Sequence, residues 1–332
     1  MDEKKSLKKK IGNMLDLKDK KILFELDFNA RMSYAQLGRK VGLSKQGAEY
    51  KVNKLISTGI IKGFYPVINV PKMGYLYCRL LLTLQNLTKE KRQEFLLYLK
   101  NHKKVFWLLE MHGQWDVLIV IWARSVTDFK AFNEEVIGKY GPHIKRKIET
   151  VATDVIHLQH RYLLEKVQTE EIHIKETQER VNVDALDKKI LSHLSSDARM
   201  SLIDLAKRCH TSAKVIAYRI RRMEKVKIIE GYRPIIDHSR VGFTYYKLFI
   251  TLNNISKEGL QKVKAYLKGS KHCVYLVEGI GLPADLDIEL MVESNQQLFS
   301  LMEDLRFSFP SLIGEYQTVM FLDTLKVKYF PE

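Results

Sequence analysis

Ser44, Lys45, Gln46, Tyr50, Asn53 and Lys54 lie within one short stretch, and Ser212, Lys214, Tyr218, Arg221 and Arg222 repeat it 168 residues later. These side chains suit the polar edges of nucleic-acid bases. Asn and Gln match adenine in two-point hydrogen bonding, Lys and Arg match guanine, and both cations also pair with phosphate. Their spacing points to one face of a helix. Ala48, Val52 and Leu55 form the opposite, inward stripe, with Gln46, Gly47, Tyr50, Asn53 and Lys54 outward. In the repeat Ile216, Ile220 and Met223 face inward, and Lys214, Val215, Tyr218, Arg221 and Arg222 face outward.

Two further helices are needed to hold such a face. Asp16-x-x-Asp19 and Asp184-x-x-Asp187 are N-cap signatures, and the stripes Ile22, Leu23, Leu26 and Ile190, Leu191, Leu194 follow them. Ser33-x-x-Gln36 and Ser201-x-x-Asp204 open a second helix. After Val41-Gly42-Leu43, Ser44 caps the third. Two short helices, a tight turn and a third helix with a polar, basic outer face make a helix-turn-helix, whose third helix enters the major groove of double-stranded DNA. In the copy, His210 stands where the first turn has Gly42, and His takes a left-handed conformation less readily.

The copy is part of a larger duplication. Residues 16–84 align without a gap on 184–252, with 24 identities in 69 positions. Charge follows the repeat. The whole chain carries +16. Segments 16–75 (11 Lys+Arg, 5 Asp+Glu) and 184–243 (13 against 7) each carry +6, whereas 244–332 (9 against 11) carries −2. Basic charge concentrated on the helical segments favours a nucleic-acid partner over a general affinity for anionic membranes.

Behind each helical segment comes an apolar strand (75–84 and 243–252), then a helix (88–101 and 256–269), two strands, a helix and a last strand. The order βαββαβ predicts a ferredoxin-like plait with one sheet face under its helices and one left open. The fold class is therefore α+β: two copies of a winged-type helix-turn-helix followed by a ferredoxin-like domain. In strand 117–122 both faces are apolar, but the copy replaces Leu118 and Val120 with Asp287 and Glu289. The changed positions share the open face, as do Arg79 and Lys247 on the neighbouring strands. We expect the two open faces to meet within one chain, with Asp287 and Glu289 matched by Lys247 and by Arg79.

Both halves resemble the leucine-responsive regulator (Lrp/AsnC) family. The likeness is carried by LDLKDKKILFEL, SYAQLGRKVGLS, LISTGIIKGFYPVINVPKMG and the Glu110–Asp116 stretch EMHGQWD. It implies a transcription regulator with an N-terminal helix-turn-helix and a domain sensing an amino acid where two such domains meet. Carried over, the effector turn is Gly113, Trp115 and Asp116. The second copy, Gly281-Leu-Pro-Ala-Asp285, has an extra residue and no aromatic. The family ordinarily uses separate identical subunits, so a fused pair implies intramolecular pairing of the halves, with higher oligomers open. The same plan also resembles siroheme decarboxylases. That alternative rests on Arg233 and His238, which have no counterpart in the first half.

The resulting domains are a basic arm (1–15, with Lys4–Lys10 as a solvated run), a helix-turn-helix (16–74), a sensor (75–162), a linker (163–183), a second helix-turn-helix (184–242) and a second sensor (243–332). As a flexible coil the linker spans about 25 Å. No apolar run reaches membrane-spanning length and no signal peptide is recognisable, so the expected location is cytoplasmic. Cys78, Cys209 and Cys273 are isolated and read as buried apolar residues. His157 and His160 are spaced to face opposite sides of a strand, which argues against a metal pair. No phosphate-binding glycine loop or catalytic grouping is visible, so neither a cofactor nor an enzymatic role is expected.

Overall fold

The structure, a computed structural model, describes residues 15–164 and 170–331. The Lys4–Lys10 run lies outside them.

Each helix-turn-helix forms where its sequence supplies both an apolar stripe and caps. The first comprises α1 (Leu17–Leu26), α2 (Tyr34–Val41) and α3 (Lys45–Ser57), followed by strand β1 (Ile61–Ile68). Asp16 accepts from the Asp19 N–H at 2.8 Å and Asp19 accepts in return from the Asp16 N–H, so two free backbone donors of α1 are satisfied reciprocally. The first sensor adds β2 (Leu76–Leu84), α4 (Lys89–Asn101), β3 (Val105–His112), β4 (Val117–Ala123), α5 (Val126–Tyr140) and β5 (Ile144–Leu158).

The linker is more ordered than a coil. It carries β6 (Glu171–Lys175), paired antiparallel with the far end of β5. The reason is a period of two: Ile172 and Ile174 are buried, while Glu171, His173 and Lys175 point outward. Burying two isoleucines contributes about 1.5–3 kcal/mol each, to which the ladder hydrogen bonds with β5 add.

The second half repeats the plan with α6 (Ala185–Ser196), α7 (Leu202–Cys209), α8 (Ala213–Lys225), β7 (Ile229–Ile236), β8 (Thr244–Leu252), α9 (Lys257–Gly269), β9 (Cys273–Ile280), β10 (Leu286–Val292), α10 (Asn295–Ser308) and β11 (Ile313–Val327). The wing is shared between the copies. β1 and β7 form one two-stranded antiparallel ribbon, each half giving one strand.

The sensor sheets run β5-β2-β4-β3 and β11-β8-β10-β9. Each last strand, at 15 residues, is long enough to pair twice. β5 pairs with β2 and then with β9 of the other sheet; β11 pairs with β8 and then with β3. The two sheets therefore meet face to face and also join at both edges, closing into an eight-stranded barrel with the helices outside. Closure leaves no free edge among these eight strands.

The layers follow the alternation of the strands. Cys78, Leu80 and Leu82 pack outward on Phe95, Phe129, Phe132 and Val136 of the helices. Leu81, Leu109, Met111, Leu118 and Val120 point inward against Phe249 and Val319 of the other half. Among them sits a buried ionic network. Arg79 Nη1 donates to Asp287 at 2.6 Å, and Arg79 Nε donates to Thr150 at 2.9 Å. Lys247 Nζ lies 2.6 Å from Asp287 and 3.0 Å from Glu289, to which Tyr245 also donates. Burial opposes ionisation of Asp287, but Lys247 and Arg79 outweigh it and hold its carboxyl below the usual range. Lys247 in the same sheet and Arg79 from the facing one thus match Asp287, whereas Glu289 is held by Lys247 and the Tyr245 hydroxyl and not by Arg79.

Candidate nucleic-acid interface

The outer faces of α3 and α8 are built from their caps upward. The Ser44 hydroxyl accepts from the Gly47 N–H at 3.0 Å, and Ser212 accepts from Val215 at 3.3 Å. The preceding turns are left-handed in both copies, with φ 68° at Gly42 and 55° at His210. His210 is therefore held in the strained conformation that its identity disfavours.

Ser44, Lys45, Gln46, Tyr50, Asn53 and Lys54 are exposed along α3, as are Ser212, Lys214, Tyr218 and Arg221 along α8. Tyr50 and Tyr218, related by the repeat, are 69% and 65% exposed, so both helices present the same central residue outward. Arg222 differs. It is half-buried, donating to Asp187 at 3.0 Å and to the Asn182 carbonyl at 3.0 Å, and is thereby turned toward α6. The cations behind each face are fixed in the same manner. Lys51 bonds Asp16 at 2.6 Å and Asp19 at 3.0 Å; Arg219 bonds Asp184 at 2.5 Å and Asp187 at 3.2 Å. Lys51 holds the Asp16 carboxyl below its usual range. The capping carboxylates of α1 and α6 thus also anchor α3 and α8.

The two heads are related by a local pseudo-twofold. In the β1–β7 ribbon Tyr65 faces Arg233, and these two residues are copies of one another, so the axis passes through this pair. Around it the contacts are reciprocal. Arg31 donates to the carbonyls of Ala198 (2.5 Å) and Met200 (3.0 Å), while Arg199 donates to Ala30 at 2.6 Å. The Ala30 N–H donates to the Tyr232 carbonyl, and Ala198 to Phe64, each at 2.9 Å. This is the isologous geometry of a twofold dimer written into one chain. The tetrapeptide Ala-Arg-Met-Ser, identical at 30–33 and 198–201, was the available sequence signal for these contacts.

At the junction between heads and barrel the symmetry breaks. Arg233, fully buried, forms a two-point pair with Asp27 at 2.6 and 3.0 Å and also donates to the Leu158 carbonyl, His157 and Tyr275. The copies of Asp27 and Arg233 are Ser195 and Tyr65, and Tyr65 stacks on Tyr329 instead. His160 donates its backbone N–H to Asp27, and His238 bonds Tyr162 at 3.0 Å. Burial lowers the His238 imidazole to about 4, and burial with the charge of Arg233 pushes His157 and His160 well below their ordinary value. Nothing in the local sequence announced this junction, because its members are brought together from both halves.

At the sensor seam Gly113 has φ 138°, and a Cβ there would stand 3.0 Å from the Thr318 carbonyl of the other half. Asp116 accepts from the Leu84 N–H at 2.7 Å, and Asp285 repeats this with Leu252 at the same distance. Trp115 is buried, its indole N–H lacks a hydrogen-bond partner, and the Arg146 guanidinium lies 4.2 Å from its ring centroid. The three cysteines are free and buried. Among the described residues no His, Cys, Asp and Glu cluster could hold a metal ion, and no helix is long and apolar enough to cross a membrane.

Comparison with known proteins agrees with this geometry. A model of the AsnC-type helix-turn-helix domain matches residues 183–224, and one of the winged helix-turn-helix DNA-binding type matches 15–62. The transcriptional regulator LrpA of Pyrococcus horikoshii is 32% identical over 126 residues, which are 38% of this chain and 88% of that protein. The chain belongs to the Lrp/AsnC family. A second family relative, the regulator AzlB of Bacillus subtilis, is 30% identical over 37% of this chain and 78% of its own length. These two relatives are thus matched over 126 and 123 residues, less than half of the chain. A fused pair has a structural counterpart in the siroheme decarboxylase NirDL, with a TM-score of 0.61 at 12% identity, over 95% of this chain and 94% of that one. That likeness concerns the fold.

Proposed function

We propose that this Lrp/AsnC chain is a DNA-binding transcription regulator in which both heads engage one duplex. Ser44, Lys45, Gln46, Tyr50, Asn53 and Lys54 form the contact surface of one head. Ser212, Lys214, Tyr218 and Arg221 form that of the other, with Arg222 supporting the helix through Asp187. The observation that carries this reading is the pair of exposed third-helix faces clamped about a single pseudo-twofold by β1–β7, Arg31 and Arg199. Twofold-related recognition helices reach successive major grooves of one duplex. If about 6 to 10 phosphates are neutralised, log K falls with log salt at a slope of roughly −5 to −9. A fluorescence-anisotropy titration at several salt concentrations measures it, and a slope near zero overturns the reading.

An amino-acid effector belongs to the same proposal. At the seam the free indole N–H of Trp115 and the guanidinium of Arg146 could both address a carboxylate, with Gly113 and Asp116 shaping the turn. Calorimetric titration with individual amino acids tests it, with Trp115→Phe expected to weaken any binding found. The siroheme-decarboxylase alternative begins from Arg233 and His238. Arg233 spends its N–H groups on Asp27, the Leu158 carbonyl, His157 and Tyr275, which leaves it no free donor for a tetrapyrrole carboxylate, and His238 pairs its Nδ1 with Tyr162. A haem-type absorption band after incubation with siroheme would favour that alternative.

A further inference from the structure

Resting on the DNA-binding reading above, we infer that the two heads read unlike half-sites, so that the chain binds DNA in one orientation. The inference starts from the copies that differ. Gln46 is replaced by Lys214, Asn53 by Arg221, Lys45 by Ala213 and Gly47 by Val215, while Tyr50 and Tyr218 agree. All four of Gln46, Asn53, Lys214 and Arg221 are exposed on the same face as the shared tyrosine. They are therefore equivalent positions on equivalent helices with different chemistry.

The chemistry separates cleanly. A carboxamide offers one donor and one acceptor, which matches adenine N6 and N7; a guanidinium or ammonium offers donors alone, which matches guanine O6 and N7. Gln46 and Asn53 thus select adenine where Lys214 and Arg221 select guanine. Other cations of the second head do not blur the difference, because Arg219 and Arg222 are committed to Asp184 and Asp187. Lys51, the copy of Arg219, is likewise committed to Asp16 and Asp19. The base-reading difference then rests on Gln46 and Asn53 against Lys214 and Arg221, while Lys45 and Lys54 of the first head, opposite Ala213 and the committed Arg222, serve phosphate.

The rest of the molecule preserves this polarity. A homodimer can exchange its heads without consequence. Here Asp27 and Arg233 lock one side of the head pair to the barrel, whereas at the copy positions Tyr65 stacks on Tyr329 and the buried Ser195 hydroxyl makes no hydrogen bond. Each head is covalently and structurally distinct, so an asymmetric site fixes which way the sensors face along the DNA.

Selection of bound sites from a random duplex pool with the full chain tests this. The expected consensus has two half-sites with a common centre and unlike flanks, adenine-rich in one and guanine-rich in the other. Arg221→Ala should relax the guanine half alone, with a loss of roughly tenfold or more in preference there, and Asn53→Ala should relax the adenine half alone. The double substitution Gln46→Lys with Asn53→Arg should turn the consensus into a near-symmetric guanine-type site. All of these residues are exposed, and circular dichroism checks that the variants stay folded. A symmetric consensus from the unaltered chain overturns the inference and leaves DNA binding standing. Failure to enrich any sequence overturns both.

Discussion

The most consequential single contact is the Arg233–Asp27 pair, because two buried charges depend on each other. Removing one partner from such a pair costs about 3–5 kcal/mol, since the remaining charge is left without compensation. The molecule itself supplies the control. Asp27→Ser and Arg233→Tyr introduce the residues found at the copy positions, Ser195 and Tyr65. Each alone should lower the chemical-denaturation midpoint sharply, and the double variant should lose less than the sum of the two. Additive losses would show that the pair is not coupled. Around it, His160 is buried, His157 and His238 are half-buried, and all three are neutral. Their folded values lie below the ordinary imidazole value, so the unfolded chain binds more protons as the medium acidifies. Stability is therefore full above pH ~6.5 and falls as pH drops toward 4, with His238 contributing to the loss. Thermal melts between pH 7.5 and 5 should show the decline, and His238→Asn should reduce its slope. An unchanged midpoint across that range would contradict the lowering of these imidazoles.

Elements tell a different story, because periodicity and caps are local and therefore readable. The third helices, their Ser44 and Ser212 caps and the βαββαβ order all follow from patterns within about fifteen residues. Three features escaped. β6 was hidden in a mixed-charge linker whose only signal was Ile172 and Ile174 alternating with polar residues. The second pairing of β5 and β11 could be inferred only from their length, since edge partners lie in the other half. Arg222 was assigned outward by helical period, yet its long side chain reaches back to Asp187, a contact that spacing alone does not fix. The tight turn offers an element-scale test. His210 holds φ 55° as the C-cap of α7, where its copy is Gly42. His210→Gly should stabilise the second head by about 0.5–1 kcal/mol by relieving left-handed strain. A melt that is lower than that of the parent would mean that the His side chain contributes more than its backbone strain costs.

At the scale of the whole molecule, the closed barrel explains how one chain avoids pairing its halves wrongly. Two copies of a unit can in principle associate as first with first, second with second, or first with second. The inward positions of the second sheet carry Asp287 and Glu289, where the first carries Leu118 and Val120. A pairing of two second sheets would enclose four carboxylates against two copies of Lys247, and a pairing of two first sheets would bury two copies of Arg79 with no carboxylate from these positions. The unlike pairing brings Arg79 and Lys247 to Asp287 and Glu289, two charges of each sign. Unpaired charge disfavours the wrong partners more strongly than the network favours the right one, which is how specificity is commonly achieved. Expressed as separate polypeptides, the two halves should form a mixed pair that outcompetes either self-pair in analytical ultracentrifugation. Arg79→Ala should weaken the mixed pair by leaving Asp287 with Lys247 as its sole cation. Substituting Asp287→Leu together with Glu289→Val in the second half should weaken the mixed pair by stranding Lys247 and Arg79 without these carboxylates. Self-association of the unaltered second half as strong as the mixed pairing would show that edge pairing of β5 with β9 and β3 with β11, and not charge, selects the partner.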